Sequence, residues 1–82
     1  MTYYCIYLDS RSGNKLCVSQ ADLETIYYLY TNDCFHNIRT YRVVNCKDGY
    51  NTIDVSVDIW YDYMTIINSF GTIIDHYKHE EE

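Results

Sequence analysis

Proline is missing from the chain, alanine occurs once, as Ala21, and only six residues are lysine or arginine. Pro and Ala need GC-rich codons, whereas the abundant Tyr, Ile, Asn and Asp are written with AT-rich ones, so the composition points to an AT-rich genome. The shortage of cations bears on function. Nucleic-acid binding draws its affinity largely from counterions released off phosphates, and a chain with little positive charge cannot supply that term. Lys15, Arg39, Arg42, Lys47 and Lys78 are scattered and form no basic stripe. Direct DNA or RNA binding is therefore not expected.

Other absences narrow the classes further. No stretch approaches the ~20 apolar residues of a membrane span. Met1-Thr2-Tyr3-Tyr4 has neither the basic region nor the apolar run of a secretion signal. The expected location is accordingly the cytosol of a host cell. Cys5, Cys17, Cys34 and Cys46 include no Cys-x-x-Cys, which argues against a zinc ribbon, and a reducing compartment argues for free thiols. Arg11-Ser-Gly-Asn-Lys15 lacks the Gly-x4-Gly-Lys spacing of a phosphate loop. No cofactor is expected.

What is present suits one small globular domain. The chain has 82 residues, 48% of them hydrophobic, and carries a net charge of −6. That is enough for a single core of modest stability and too apolar for disorder. Residues 1–79 read as one α+β domain and 80–82 as an acidic tail. The largest excess is in tyrosine, with eleven residues.

Residues 3–10 are rich in β-formers and predict a strand, Arg11 to Lys15 a turn, and Leu16-Cys-Val-Ser19 a return strand. Ser19, with Asp22 three residues on, suggests a helix start. Leu23, Ile26, Tyr27 and Tyr30 then fall on one helical stripe, ending near Asn32, which suits a left-handed C-terminal position. Asp33 to Asn37 reads as a polar connection and Ile38 to Cys46 as a third strand. Ile53-Asp-Val-Ser-Val-Asp-Ile59 alternates without a fault and predicts a half-buried fourth strand. A three-residue Lys47-Asp48-Gly49 loop would pair Val43 with Ile53 and Tyr41 with Val55, keeping all four on the buried face. Beyond Asp62, as N-cap, Tyr63, Ile67, Phe70, Ile74 and Tyr77 recur at four-three spacing and predict a second helix. Gly71 and the β-branched residues speak against it, and a strand from Thr72 is the alternative. The order is ββαββα: a four-stranded, mostly antiparallel sheet with two helices packed on one face.

No catalytic constellation stands out, and an enzyme is not expected. His76-x-x-His79 on a helix end would give two imidazoles without the further ligands a metal needs, so it reads as an exposed polar cluster and no metal is expected. Cys34-Phe-His36 lies too close in sequence for a productive nucleophile–base pair and reads as a loop thiol beside a loop histidine. Paired carboxylates would need a cleft that so short a chain has little room to make.

The tyrosines carry more. A core this small cannot hold eleven rings with satisfied hydroxyls, so several should be exposed, and exposed tyrosine is enriched at interfaces. Codon bias, with tyrosine standing in for Phe and Leu around the core, is the competing explanation. Tyr28 is adjacent to Tyr27 and cannot share its stripe, while Tyr3 must face away from Tyr4. Asp54 and Asp58 lie ~13 Å apart on the wet face of the fourth strand. Tyr3, Tyr28, Asp54, Asp58, Tyr61 and Asp62 are the candidate partner-binding residues. In charge and size the chain resembles small acidic inhibitors of phages and mobile elements, among them anti-CRISPR proteins, other anti-defence proteins and toxin-neutralising immunity proteins. That resemblance implies stoichiometric binding to a host protein with a basic surface, such as a nuclease or another nucleic-acid-handling enzyme. A homodimer or larger scaffold, built on an open sheet face, is the alternative.

Overall fold

The computed structural model describes the backbone of residues 2–10, 13, 15–32 and 35–80, and the side chains of these except 10, 15–17, 35, 36, 45 and 46. Six strands and one helix follow in the order β1 (Thr2–Ser10), β2 (Lys15–Ala21), α1 (Leu23–Thr31), β3 (Phe35–Cys46), β4 (Gly49–Trp60), β5 (Tyr63–Ile67) and β6 (Ile73–Lys78). Each strand runs antiparallel to its neighbours in one sheet ordered β2-β1-β3-β4-β5-β6. The expected first hairpin, helix and strands three and four are present. Arg11, Ser12 and Asn14 of the expected turn, and Asp33 and Cys34 of the expected connection, lie outside the described residues. Phe35 to Asn37 belong to β3.

The expected four-stranded sheet with two helices is wrong in its last third. Tyr63 to Lys78 form a hairpin rather than a helix. The run Tyr-Met-Thr-Ile-Ile is β-branched and alternates, with Met64 and Ile66 fully buried between less buried neighbours. Asn68 then breaks it. Its side-chain oxygen accepts from the amides of Phe70 (2.9 Å) and Thr72 (3.0 Å), while the Gly71 amide donates to the Asn68 carbonyl (3.0 Å). Gly71 stands at φ +83°, where a side chain would be strained. Side-chain capture of backbone amides competes directly with helix formation.

The helix starts later than Ser19 suggests. β2 continues to Ala21, and Asp22 is itself the N-cap, accepting from the Thr25 amide at 2.7 Å. Asn32 closes the helix with extended backbone rather than left-handed. The expected stripe does face inward: Ile26 is fully buried, and Leu23, Tyr27 and Tyr30 pack on the core.

β4 controls the shape. Residues 49–55 pair with β3 and residues 56–60 with β5, so the strand passes from one half of the sheet to the other. The two inner faces converge on α1, because Ile6 and Leu8 of β1 and Met64 and Ile66 of β5 share one cluster with Ile26. These five side chains are the largest fully buried ones among the described residues. Each contributes about 1.5–3 kcal/mol of transfer free energy.

The register of β3 and β4 also departs from expectation. The loop is Lys47-Asp48, Cys46 pairs with Gly49, and Ile53 lies opposite Arg42 rather than Val43. Val55 pairs with Thr40, not Tyr41. Thr40 is buried on the helix side, where its hydroxyl lies 2.8 Å from that of Tyr30. Val43, in the opposite phase, is also buried, at 7% exposure. Both faces of β3 thus carry buried side chains, and an argument from one apolar face cannot settle its register.

Candidate functional site

The alternation of β4 determines what its far end presents. Val55, Val57 and Ile59 turn inward and pack against the core, so Asp54, Ser56, Asp58 and Trp60 turn outward and are exposed. Trp60 is 72% exposed. It pairs with Tyr63 across a two-residue turn made by Tyr61 and Asp62. Tyr61 lies at φ +56°, a conformation that Gly, Asn or Asp normally supplies in such turns. A tyrosine there costs about 1–2 kcal/mol of strain. It is 81% exposed, so burial of its own ring does not offset that cost.

These rings form an ordered surface. Trp60 and Tyr61 meet edge-to-face at 5.1 Å. Tyr63 stacks on His76 of β6 at 6.0 Å, with 20° between the ring planes. Asp58 and Asp62 are exposed on either side of the Trp60–Tyr61 pair in sequence.

Behind the turn, α1 and the end of β6 supply a second aromatic group. Tyr27 stacks on His79 at 5.0 Å and 18°, Tyr28 meets the same imidazole edge-on at 5.4 Å, and Tyr77 lies against Tyr27 at 5.6 Å. The Tyr77 hydroxyl and His79 Nδ1 are 3.4 Å apart. Two bonds tie this group to the turn: the His79 amide donates to the Asp62 carbonyl at 2.7 Å, and the Tyr27 hydroxyl donates to the backbone carbonyl of Tyr61 at 3.4 Å. Burial pushes the Tyr77 hydroxyl above the usual tyrosine value, helped by the negative charge of Glu24 and, less strongly, by Tyr28, Tyr27 and Asp22.

Of the six candidate residues, Tyr61 and Asp62 make the turn, Tyr28 stands behind it at 52% exposure, and Asp58 precedes Trp60 by two positions. Asp54 and Tyr3 do not join them. Asp54 is opposite Tyr41 and lines a separate cleft of about 420 Å³ with Tyr30, Arg39 and Val57. Tyr3 is half-buried beside Val43 on β1, where burial and then Cys5 and Tyr50 raise its hydroxyl. Along β4, the partner of Val43 is eight residues from Trp60, about 26 Å.

Sequence reasoning missed Trp60, although the alternation that buries Ile59 places it in the wet phase. Phe70, which the four-three spacing places on a helical core stripe, is instead 91% exposed at the β5–β6 turn. His76 and His79 are not on a helix. His76 leaves β6 beside Tyr63, whereas His79 follows the strand and joins the α1 tyrosines. No group of three or more His, Cys, Asp or Glu among the described residues is placed to hold a metal ion. Cys5 is a free, half-buried thiol, and the side chains of Cys17, Cys34, His36 and Cys46 lie outside the description. Among the described residues no helix is long and apolar enough to cross a membrane. In comparisons with models of protein families, with curated proteins and with solved structures, the chain matched none.

Proposed function

We propose that this protein is a small acidic inhibitor, of the kind phages and mobile elements encode, that binds a host nucleic-acid-handling enzyme stoichiometrically and occupies its basic cleft. The reading rests chiefly on the exposed Trp60–Tyr61 pair, held on a strained turn between Asp58 and Asp62. Aromatic anchors supply contact area at low entropic cost, and carboxylates around them complement a basic surface that would otherwise hold phosphates. Strain kept at an exposed turn is the pattern of a binding site rather than of a stability element. The net charge of −6 steers the chain toward such clefts from a distance. The action is by occupancy, without catalysis.

Capture of the tagged chain from the cell that produces it, followed by mass spectrometry, tests this reading. It requires one nuclease, polymerase or defence effector at near-equal stoichiometry, released as salt rises, because exposed ion pairs are screened. Self-association is the second reading. The observation favouring it is the β1–β3 face away from α1, where Tyr7 is 39% exposed and the Arg39 guanidinium lies 5.9 Å from the centre of the Tyr41 ring. Recovery of the chain only as a dimer or larger would support that reading instead.

A further inference from the structure

We propose that Tyr27, Tyr28 and Tyr77 form a cation-binding cage that receives an arginine side chain of the partner, in the place His79 holds in the free chain. The inference rests on the reading above, in that the partner surface is basic.

The geometry is that of an occupied site. Three tyrosines from two elements surround one imidazole, with ring centres 5.0, 5.4 and 6.5 Å from it. The closest ring lies nearly parallel to the imidazole and the second stands nearly perpendicular to it. A planar guanidinium stacks on a tyrosine face in the same manner, which a compact ammonium does not. The surroundings are acidic. Asp22 and Glu24 open α1 on the same side, and their charge reaches the Tyr77 hydroxyl. Asp62 and Glu80 flank a hollow of about 490 Å³ that His79 and Lys78 also line. None of the three tyrosines lines that hollow, so a cation in the place of the imidazole gains from the face of Tyr27 and from carboxylates nearby.

His79 is placed to be exchanged. It follows the last residue of β6, and its backbone is held by one amide bond to Asp62. Exchange requires the ring to leave the face of Tyr27 and give up the 3.4 Å contact of Nδ1 with the Tyr77 hydroxyl, while the β5–β6 pairing, which ends at Lys78, does not involve it. Tyr28 is half exposed, which leaves the cage open to an entering side chain. Because the cage adjoins the Trp60–Tyr61 turn, an arginine lodged in it would lie beside the aromatic anchors.

The test needs no partner. The isolated chain is titrated with N-acetyl-arginine methylamide, and with its neutral citrulline counterpart, while the tyrosine ring signals are followed by NMR. The proposal predicts that the arginine compound shifts the rings of Tyr27, Tyr28 and Tyr77, and that the citrulline compound does not. His79→Ala should bind the arginine compound about two- to fivefold more tightly, as the competing ring is removed. Tyr27→Leu should abolish the response while the backbone spectrum shows an intact fold. Equal shifts with both compounds, or no tightening in His79→Ala, would overturn it. Since capture from cells measures the partner and this titration measures the cage, either can fail without the other.

Discussion

The Tyr4 hydroxyl donates a 3.3 Å hydrogen bond to Oδ2 of Asp75, joining the first strand to the last across 71 positions of sequence. The bond exists because β4 changes partners midway and turns the β5–β6 hairpin toward the inner face of β1. Burial, then the negative charge of Asp75, push the Tyr4 hydroxyl up to about 12, against the opposing pull of Arg42. Tyr4→Phe should lower stability by about 1–2 kcal/mol in chemical denaturation, because Asp75 loses its donor.

The pH dependence of that bond has a definite sign. The folded chain holds the Tyr4 proton more tightly than the unfolded chain, whose tyrosine titrates near 10. Its contribution is complete below pH 10 and is lost as pH rises from there through about 12. Wild type should therefore lose more stability than Tyr4→Phe over this window. Parallel losses would remove Tyr4 as a cause.

Substitution at two positions separates hairpin from helix in the last third. Ile66 is fully buried and Phe70 is 91% exposed. Ile66→Ala should cost about 2–5 kcal/mol, and Phe70→Ser should stay within about 0.5 kcal/mol of wild type. A helical last third, with Phe70 in its core stripe, requires a large loss at Phe70. Thermal and denaturant unfolding of the two variants decides between these outcomes.

Asp22 provides an acid-side counterpart. Its carboxylate is held below the usual range by its hydrogen bonds to Thr25, so its contribution is present above pH 3.8 and disappears as pH falls through the lower folded value. Asp22→Ala should melt several degrees lower at neutral pH, with the gap closing toward strong acid. Melting curves across that range provide the check.

Much of this fold was legible in the chain. The alternation from Ile53 to Ile59 marked β4, and the stripe from Leu23 to Tyr30 marked α1, because each pattern fits one period only. The segment from Tyr63 to Tyr77 fits two. Its apolar residues satisfy a four-three stripe, and its β-branched pairs satisfy a strand. What separates them is the Asn68 side chain bonded to two amides, a local structure that periodicity does not register. The β3 register was illegible for a different reason: Thr40 and Val43 are buried in opposite phases of the strand. At the candidate site Tyr61 and Asp62 were legible as exposed residues after the alternating strand, but the spacing marks Asp62 as the N-cap of a helix and it is instead the second residue of a hairpin turn. Their link to Tyr27 and His79 depends on tertiary closure that no local pattern encodes.

Tyr61 separates stability from binding. Tyr61→Gly relieves the positive φ and should raise stability by up to about 1 kcal/mol, while removing the ring that packs on Trp60. The same variant should bind its partner more weakly. Denaturation and partner titration of one preparation measure both effects. A loss of stability would show that the ring supports the fold.

The central claim is that the Trp60 surface holds a basic enzyme cleft. The most direct measurement is capture by wild type and by Trp60→Ala, side by side, from the producing cell over a series of salt concentrations. The account predicts one nucleic-acid-handling enzyme at near-equal stoichiometry with wild type, held at least about tenfold more weakly by Trp60→Ala and released by salt in both cases. The same enzyme retained equally by Trp60→Ala, or recovery of the chain with no protein but itself, would contradict it.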